Sequence, residues 1–266
     1  MSALTRAQMD ALADLQYCWG AVPFTLIGGA ALSLQTEKFW RTTSDLDLTV
    51  SVGIDEFPGG IESLEGWSPG KHAQRWHGPG NVLVDIIPAG PALLYEQAIT
   101  WPGGYRMSLV GMRHALEQGV ATELRPGLTI ALAPLHVIAM LKMVSFTDRP
   151  GERDRDLNDI AYLFEYYLGP DDDRRFMGVV EDEVTLGYPE APAYVLARDI
   201  ARLVDQSEVA VVRHFLALVG EAGAHHARML HNGPWRREPD ELLLRLSAFE
   251  RGLDRGIALK AYAQSA

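Results

Sequence analysis

The chain has 266 residues, 47% of them apolar and 22% charged, so it can bury a sizeable core and is neither disordered nor fibrous. Its formal charge of −11 excludes a protein built to coat nucleic acid, and neither part is net basic, with 5 basic against 10 acidic residues up to Pro88 and 19 against 25 after it. A single cysteine, Cys18, excludes an internal disulfide and a multi-thiolate zinc site, and no apolar run reaches the ~18 residues a membrane span needs. Met1–Arg6 lacks the charged-then-apolar pattern of a signal peptide, so the expectation is a cytoplasmic, soluble protein with no membrane partner.

Residues 5–18 predict an amphipathic helix with Thr5 as N-cap and Leu12 and Leu15 on one side. Phe24–Ile27 is a short buried strand that ends in Gly28-Gly29, and a helix follows from Ala30 to about Gln35. Ser44–Val50 alternates polar and apolar residues with period two, the mark of a half-buried strand. Residues 53–70 hold glycines, prolines and acids and predict a surface excursion. A hairpin comes next, with Ala73–His77, a turn at Gly78–Asn81 and a strand over Val82–Ile87, and one more strand lies at Leu128–Leu132.

From Pro134 the pattern turns helical, with helices over Leu135–Phe146, Asp154–Tyr167, Ala191–Val204, Glu208–Gly220 and Pro239–Ala263. Asp171–Asp173 and Glu221–Arg237 read as loops. The expected fold class is α/β (α+β): a mixed-sheet domain over residues 1–133, followed by an all-helical domain over 134–266.

Residues i and i+2 of a strand share a face, so Asp45 and Asp47 project together while Leu46 and Leu48 enter the core. Taken alone the pair reads most simply as a solvated strand end. Two carboxylates so close repel unless a cation sits between them, and a hard ion such as Mg²⁺ suits them. Asp85 is the only charged residue between Val82 and Pro88 and needs a partner or water if buried. If its strand lies beside that of Asp45 and Asp47, three carboxylates converge, enough for a two-metal site. Gly28-Gly29, between a strand and a helix, is either an ordinary tight turn or a phosphate cradle under helical N–H donors.

Ile27-Gly28-Gly29-Ala30-Ala31-Leu32 and Arg41-Thr42-Thr43-Ser44-Asp45-Leu46-Asp47-Leu48 together resemble the glycine-pair and Arg-x-x-x-Asp-x-Asp signature of the DNA-polymerase-β-like nucleotidyltransferase superfamily, nearest its AbiEii/AbiGii toxin-like branch. That branch carries a later helical motif, matched here by Lys142, Arg149 and Arg155-Asp156-Leu157-Asn158-Asp159. The resemblance spans residues 24–50, 82–88 and 134–164. Many superfamily members have Gly-Ser where this chain has Gly28-Gly29, and a polar insert, Pro150–Asp154, separates Arg149 from the basic-Asp step.

The resemblance implies Asp45, Asp47, Asp85 and Lys142 as catalytic residues, the three aspartates as ligands of two Mg²⁺ ions, and Gly28, Gly29, Arg41, Lys142, Arg149 and Asp156 around a nucleoside triphosphate. It implies transfer of a nucleoside monophosphate to the 3′ end of tRNA or another hydroxyl, with pyrophosphate released, and an antitoxin-like protein partner. The residues themselves leave alternatives open. Lys142, in an apolar helix, either snorkels to solvent or faces an anion. Asp156 and Asp159 share a helix face, where they hold Lys142 or Arg149, orient the nucleotide, or are simply solvated. Arg41 either pins the Asp45 strand or touches phosphate. The acidic total favours a small hydroxylated acceptor over a large RNA. A non-catalytic nucleotide-binding module and a Mg²⁺-dependent phosphatase or nuclease are the remaining readings. His225, His226 and His231 beside Trp235-Arg236-Arg237 suggest a metal or RNA patch less readily than surface histidines at a helix end.

Overall fold

Thr5 and Gln8 form a reciprocal capping box that starts helix α1 (Arg6–Trp19), which turns Leu12 and Leu15 into the core. The structure, a computed structural model, describes residues 4–36, 43–57, 59–169, 171–175 and 186–265. Strand β1 (Phe24–Ile27) runs straight into α2 (Gly28–Gln35), and β2 (Asp45–Val50) returns antiparallel to it. Then come β3 (Ser68–Pro69), β4 (Arg75–His77) and β5 (Leu83–Pro88), followed by α3 (Pro91–Glu96), β6 (Ala98–Thr100), β7 (Arg106–Ser108), α4 (Met112–Gln118), β8 (Val120–Arg125) and β9 (Leu128–Leu132).

Among the described residues seven strands make one mixed sheet in the order β3-β4-β5-β2-β1-β9-β8, while β6 and β7 pair apart from it. β2 and β5 are parallel neighbours near its middle, and Leu46, Leu48, Val84 and Ile86 are all buried on one side. Burial of four such side chains contributes several kcal/mol, so the register that puts the polar residues on the opposite face is strongly preferred. The α/β fold class of this part is as expected from the alternation of its strands. The expectation passed over α3, β6, β7 and α4, which are short, and β8, which has no buried residue to set a pattern.

Helix α5 (Leu135–Asp148) follows, and the chain divides into compact units between Leu141 and Lys142, inside this helix. β9 ends at Leu132 and α5 begins at Leu135, so the elements turn from strand to helix ahead of that division. The second unit holds α6 (Asp154–Tyr166), α7 (Ala191–Leu203), α8 (Gln206–Val219), α9 (His226–Asn232) and α10 (Pro239–Ser265). α7 is buried from Ala191 to Ala201, and Phe164 of α6 stacks on Phe249 of α10 with ring centroids 5.1 Å apart. Asp205 caps α8 in a second capping box with Glu208, which starts that helix at Gln206, earlier than expected. Glu221–Arg237 is not wholly a loop: α9 lies within it, closed by Gly233 and anchored through the buried Met229. Asp173–Arg175 form a 3₁₀ turn rather than plain loop. No helix among the described residues is long and apolar enough to cross a membrane.

Candidate active site

The period-two geometry of β2 puts Asp45 and Asp47 on the face opposite Leu46 and Leu48, and both are half-buried. In the parallel register Asp47 is directly beside Asp85, and Asp45 is beside Leu83. The three carboxylates therefore share one face of two neighbouring strands, the side away from Val84 and Ile86. Asp45 is oriented by Thr43, whose hydroxyl donates to its Oδ1 at 3.1 Å. Thr43 is held in turn through its carbonyl, which accepts from Gln8 Nε2 at 3.0 Å, so the capping residue of α1 also steadies the approach to β2.

Gly28 sits where β1 passes into α2, with φ at +67°. Across the antiparallel pair, Ile27 faces Asp47, which brings the Asp47 side chain against the turn. A Cβ on Gly28 would stand 2.1 Å from Asp47 Oδ2, far inside the approach of a non-bonded Cβ. The carboxylate thus occupies the volume that any other residue at 28 would fill. Gly29, buried, continues the first turn of α2. Gly28→Ala is expected to cost about 1–3 kcal/mol from the left-handed backbone and to push Asp47 off its position. Chemical denaturation checks the first effect, and loss of whatever cation binding depends on Asp47 checks the second.

Arg75 was not among the candidate residues and lies at the centre of the arrangement. It is the antiparallel partner of Asp85 on β4, and its guanidinium grips the carboxylate with both arms: Nε donates to Oδ1 at 2.7 Å and Nη2 to Oδ2 at 2.5 Å. This bidentate bond to Asp85 raises the Arg75 pKa, burial opposes it, and the charges of Asp45 and Asp47 add to the rise. The lone Asp85 did announce that a partner was needed; the hairpin register supplies it. Among the described residues no three His, Cys, Asp or Glu side chains are drawn into a ready-made metal cage. As a donor set, Asp45 and Asp47 fit a hard divalent cation, since both are oxygen ligands on one face, while each oxygen of Asp85 accepts one bond from Arg75.

No family model and no curated protein matches the chain. Among solved structures it is similar to an antigenic nucleotidyltransferase-like protein from Paracoccidioides brasiliensis, at 18% identity and a TM-score of 0.39, over 59% of this chain and 74% of that one.

The second group of candidates lies in the helical unit. Lys142 is 6% exposed, and its ammonium meets Asp159 Oδ2 at 2.6 Å and Asp156 Oδ1 at 3.1 Å. Burial by itself would lower the Lys142 pKa, but the charges of Asp156 and then Asp159 outweigh it and hold the value well above the ordinary lysine range. Of the alternatives the sequence left open for Asp156, holding Lys142 is the one this geometry displays, and Lys142 is placed as the cation of a buried cluster rather than as a charge held out to phosphate. Asp156 also lies in the first turn of α6, where a negative charge suits the helix dipole. α5 ends at Asp148, so Arg149 does not continue the Lys142 face; its Nη1 is 3.5 Å from Glu152 Oε2. Arg41 lies outside the described residues.

His225 and His226 have structural partners. His226 Nδ1 lies 2.8 Å from the Val219 carbonyl, and His225 packs edge-on against Phe146 while its Nδ1 lies 3.1 Å from Arg228 Nη1. Trp235 is buried, with its indole N–H donating to Glu165 at 3.2 Å and Arg245 over its ring.

Proposed function

We propose that this protein transfers a nucleoside monophosphate from a nucleoside triphosphate to an acceptor hydroxyl. The observation that carries the reading is the pairing of Asp47 with Asp85 in register, with Asp45 on the same face and Asp47 packed into the space left by Gly28. Adjacent, mutually repelling carboxylates on a sheet face call for a cation, and a glycine turn at a helix start admits a phosphate tail close to backbone N–H donors. Asp45 and Asp47 would hold Mg²⁺, with Asp85 taking part as a further ligand or as the base. When bound, the metal supplies charge neutralisation on the phosphates and a lower pKa for the attacking hydroxyl.

In the reaction the acceptor oxygen forms a bond to the α-phosphorus, the bond from that phosphorus to the bridging oxygen breaks, and pyrophosphate leaves with the electron pair. The hydroxyl proton passes to Asp85 or to water. The protein's share is to orient the triphosphate along the Gly28-Gly29 turn and to keep the acids preorganised, through Thr43 for Asp45 and through Gly28 for Asp47.

The acceptor follows two readings. The likeness of residues 24–50 and 134–164 to the toxin-like branch favours the 3′ end of tRNA. The net charge of −11 favours a small hydroxylated molecule, because phosphate contacts need clustered Lys and Arg. Incubation with each α-³²P-labelled triphosphate, Mg²⁺, and either total tRNA or a panel of small polyols and aminoglycosides tests both. Label moving to an acceptor, with loss of that movement in Asp47→Ala, supports the reading. Binding of triphosphate without any transfer, or release of phosphate without an adduct, contradicts it.

A further inference from the structure

Arg198 and Arg202 lie four residues apart on α7 and share a face, where like charges at that spacing repel. Gly252, Gly256 and Lys260 follow the same spacing on α10, and the two glycines let α10 press closely on α7. A Cβ on Gly252 would stand 2.3 Å from the Tyr194 carbonyl oxygen, and one on Gly256 would stand 2.5 Å from Ala201 Cβ. That approach sets Lys260 at the end of α7, where its Nζ donates to the Val204 and Leu203 carbonyls at 2.8 and 3.3 Å. Arg198, Arg202, Gly256, Leu259 and Lys260 line a cavity of about 230 Å³, and among the described residues no carboxylate lines it. Three cations around one small cavity stand out in a chain of net charge −11.

We propose that this cavity binds a phosphate group carried by a small anion, either inorganic phosphate or pyrophosphate. It lies wholly within the helical unit and does not depend on the metal reading given above. Asp199 answers Arg202 only in part. Its Oδ1 accepts from Arg202 Nη1 at 2.8 Å, while its Oδ2 accepts from Tyr167 at 2.6 Å and from Arg174, which Asp172 also holds, at 2.7 Å. The C-terminal end of α7 carries about half a negative charge, less than the full charge that Lys260 brings to it. Arg198 is buried and has contacts of its own, so the donors left over are Nε and Nη2 of Arg202 and the third N–H of Lys260. Phosphate presents several acceptor oxygens and up to two negative charges, which suits an arginine fork on one helix and a lysine on the next better than a single carboxylate does. The volume falls below the about 300–1,000 Å³ of sites for drug-sized ligands, which fits one phosphate or two linked ones and leaves out a whole nucleotide.

Titration calorimetry of the full chain with inorganic phosphate, in EDTA to keep metal off the acidic face, tests this. One site per chain is expected, with acetate bound at least about tenfold more weakly. Arg202→Gln changes a side chain that is 62% exposed and is expected to weaken phosphate binding about tenfold, as is Lys260→Gln. Pyrophosphate separates the two sources: tighter binding than phosphate, weakened by the same variants, assigns the cavity to linked phosphates, and equal or weaker binding assigns it to a single one. Should Lys260→Gln fail to fold, wild type decides through its amide resonances, which phosphate is expected to shift at 199–204 and 256–260. Absence of phosphate binding, affinity unchanged in Arg202→Gln, acetate bound as tightly as phosphate, or shifts confined to other residues overturns the proposal. Each of those results leaves the transfer reaction on the acidic face untouched.

Discussion

Asp47→Asn is expected to reduce nucleotidyl transfer by about 10³-fold or more while the protein keeps, or slightly gains, thermal stability. The two signs come from one cause. Asp47 stands between Ile27 on one neighbouring strand and Asp85 on the other, with its carboxylate against Gly28. It is thus the acid closest to both the glycine turn and the next carboxylate. Asparagine keeps the shape that fills the Gly28 space and removes one of three like charges, so repulsion on that face falls. The same change removes an anionic ligand from the proposed metal site, and the neighbouring Asp85 already shares its charge with Arg75. Label transfer and thermal unfolding measured on the same preparations check both parts; a fall in transfer that merely tracks a loss of folded protein would deny Asp47 a chemical role.

Lys142→Ala is expected to act in the opposite manner, costing about 3–5 kcal/mol of stability and lowering the unfolding midpoint by about 10 °C. Its ammonium is the cation between Asp156 and Asp159, and Asp159 is fully buried. Removing it leaves two carboxylates in a low-dielectric site, where each would have to be neutralised or rehydrated. Replacing Lys142, Asp156 and Asp159 together by Met, Leu and Leu is expected to recover most of that loss, since the charges disappear along with their partner. Urea denaturation of both variants is the check. A Lys142→Ala protein of ordinary stability that binds triphosphate poorly would instead restore the phosphate-contacting role that the resemblance implies.

The parts of this picture that were legible in the sequence are those set by period. The alternation of residues 44–50 and the apolar run at 82–87 identify β2 and β5, and period two places Asp45 and Asp47 on one face without further information. The parts that were not legible depend on register or on helix-to-helix geometry. Arg75 meets Asp85 through a turn that holds a 3₁₀ segment with Gly80 and Asn81 at positive φ, and a slip of one residue there would have turned the arginine to the opposite face. Lys142 finds its partners only because α6 folds back along α5 after a polar turn at Pro150–Arg153, which no local pattern specifies. α9 is seven residues long between glycines at 223 and 233, too short for a hydrophobic period to declare itself.

The central claim is that the face bearing Asp45 and Asp47 receives metal and triphosphate together beside the Gly28-Gly29 turn. Crystals grown with MnCl₂ and α,β-methylene-ATP, with diffraction recorded at the manganese edge, test it in one map. The account predicts an anomalous peak bound by Asp45 and Asp47, with the phosphate tail lying along the turn between β1 and α2. Manganese or nucleotide seated elsewhere, with both aspartates left to solvent, would contradict it.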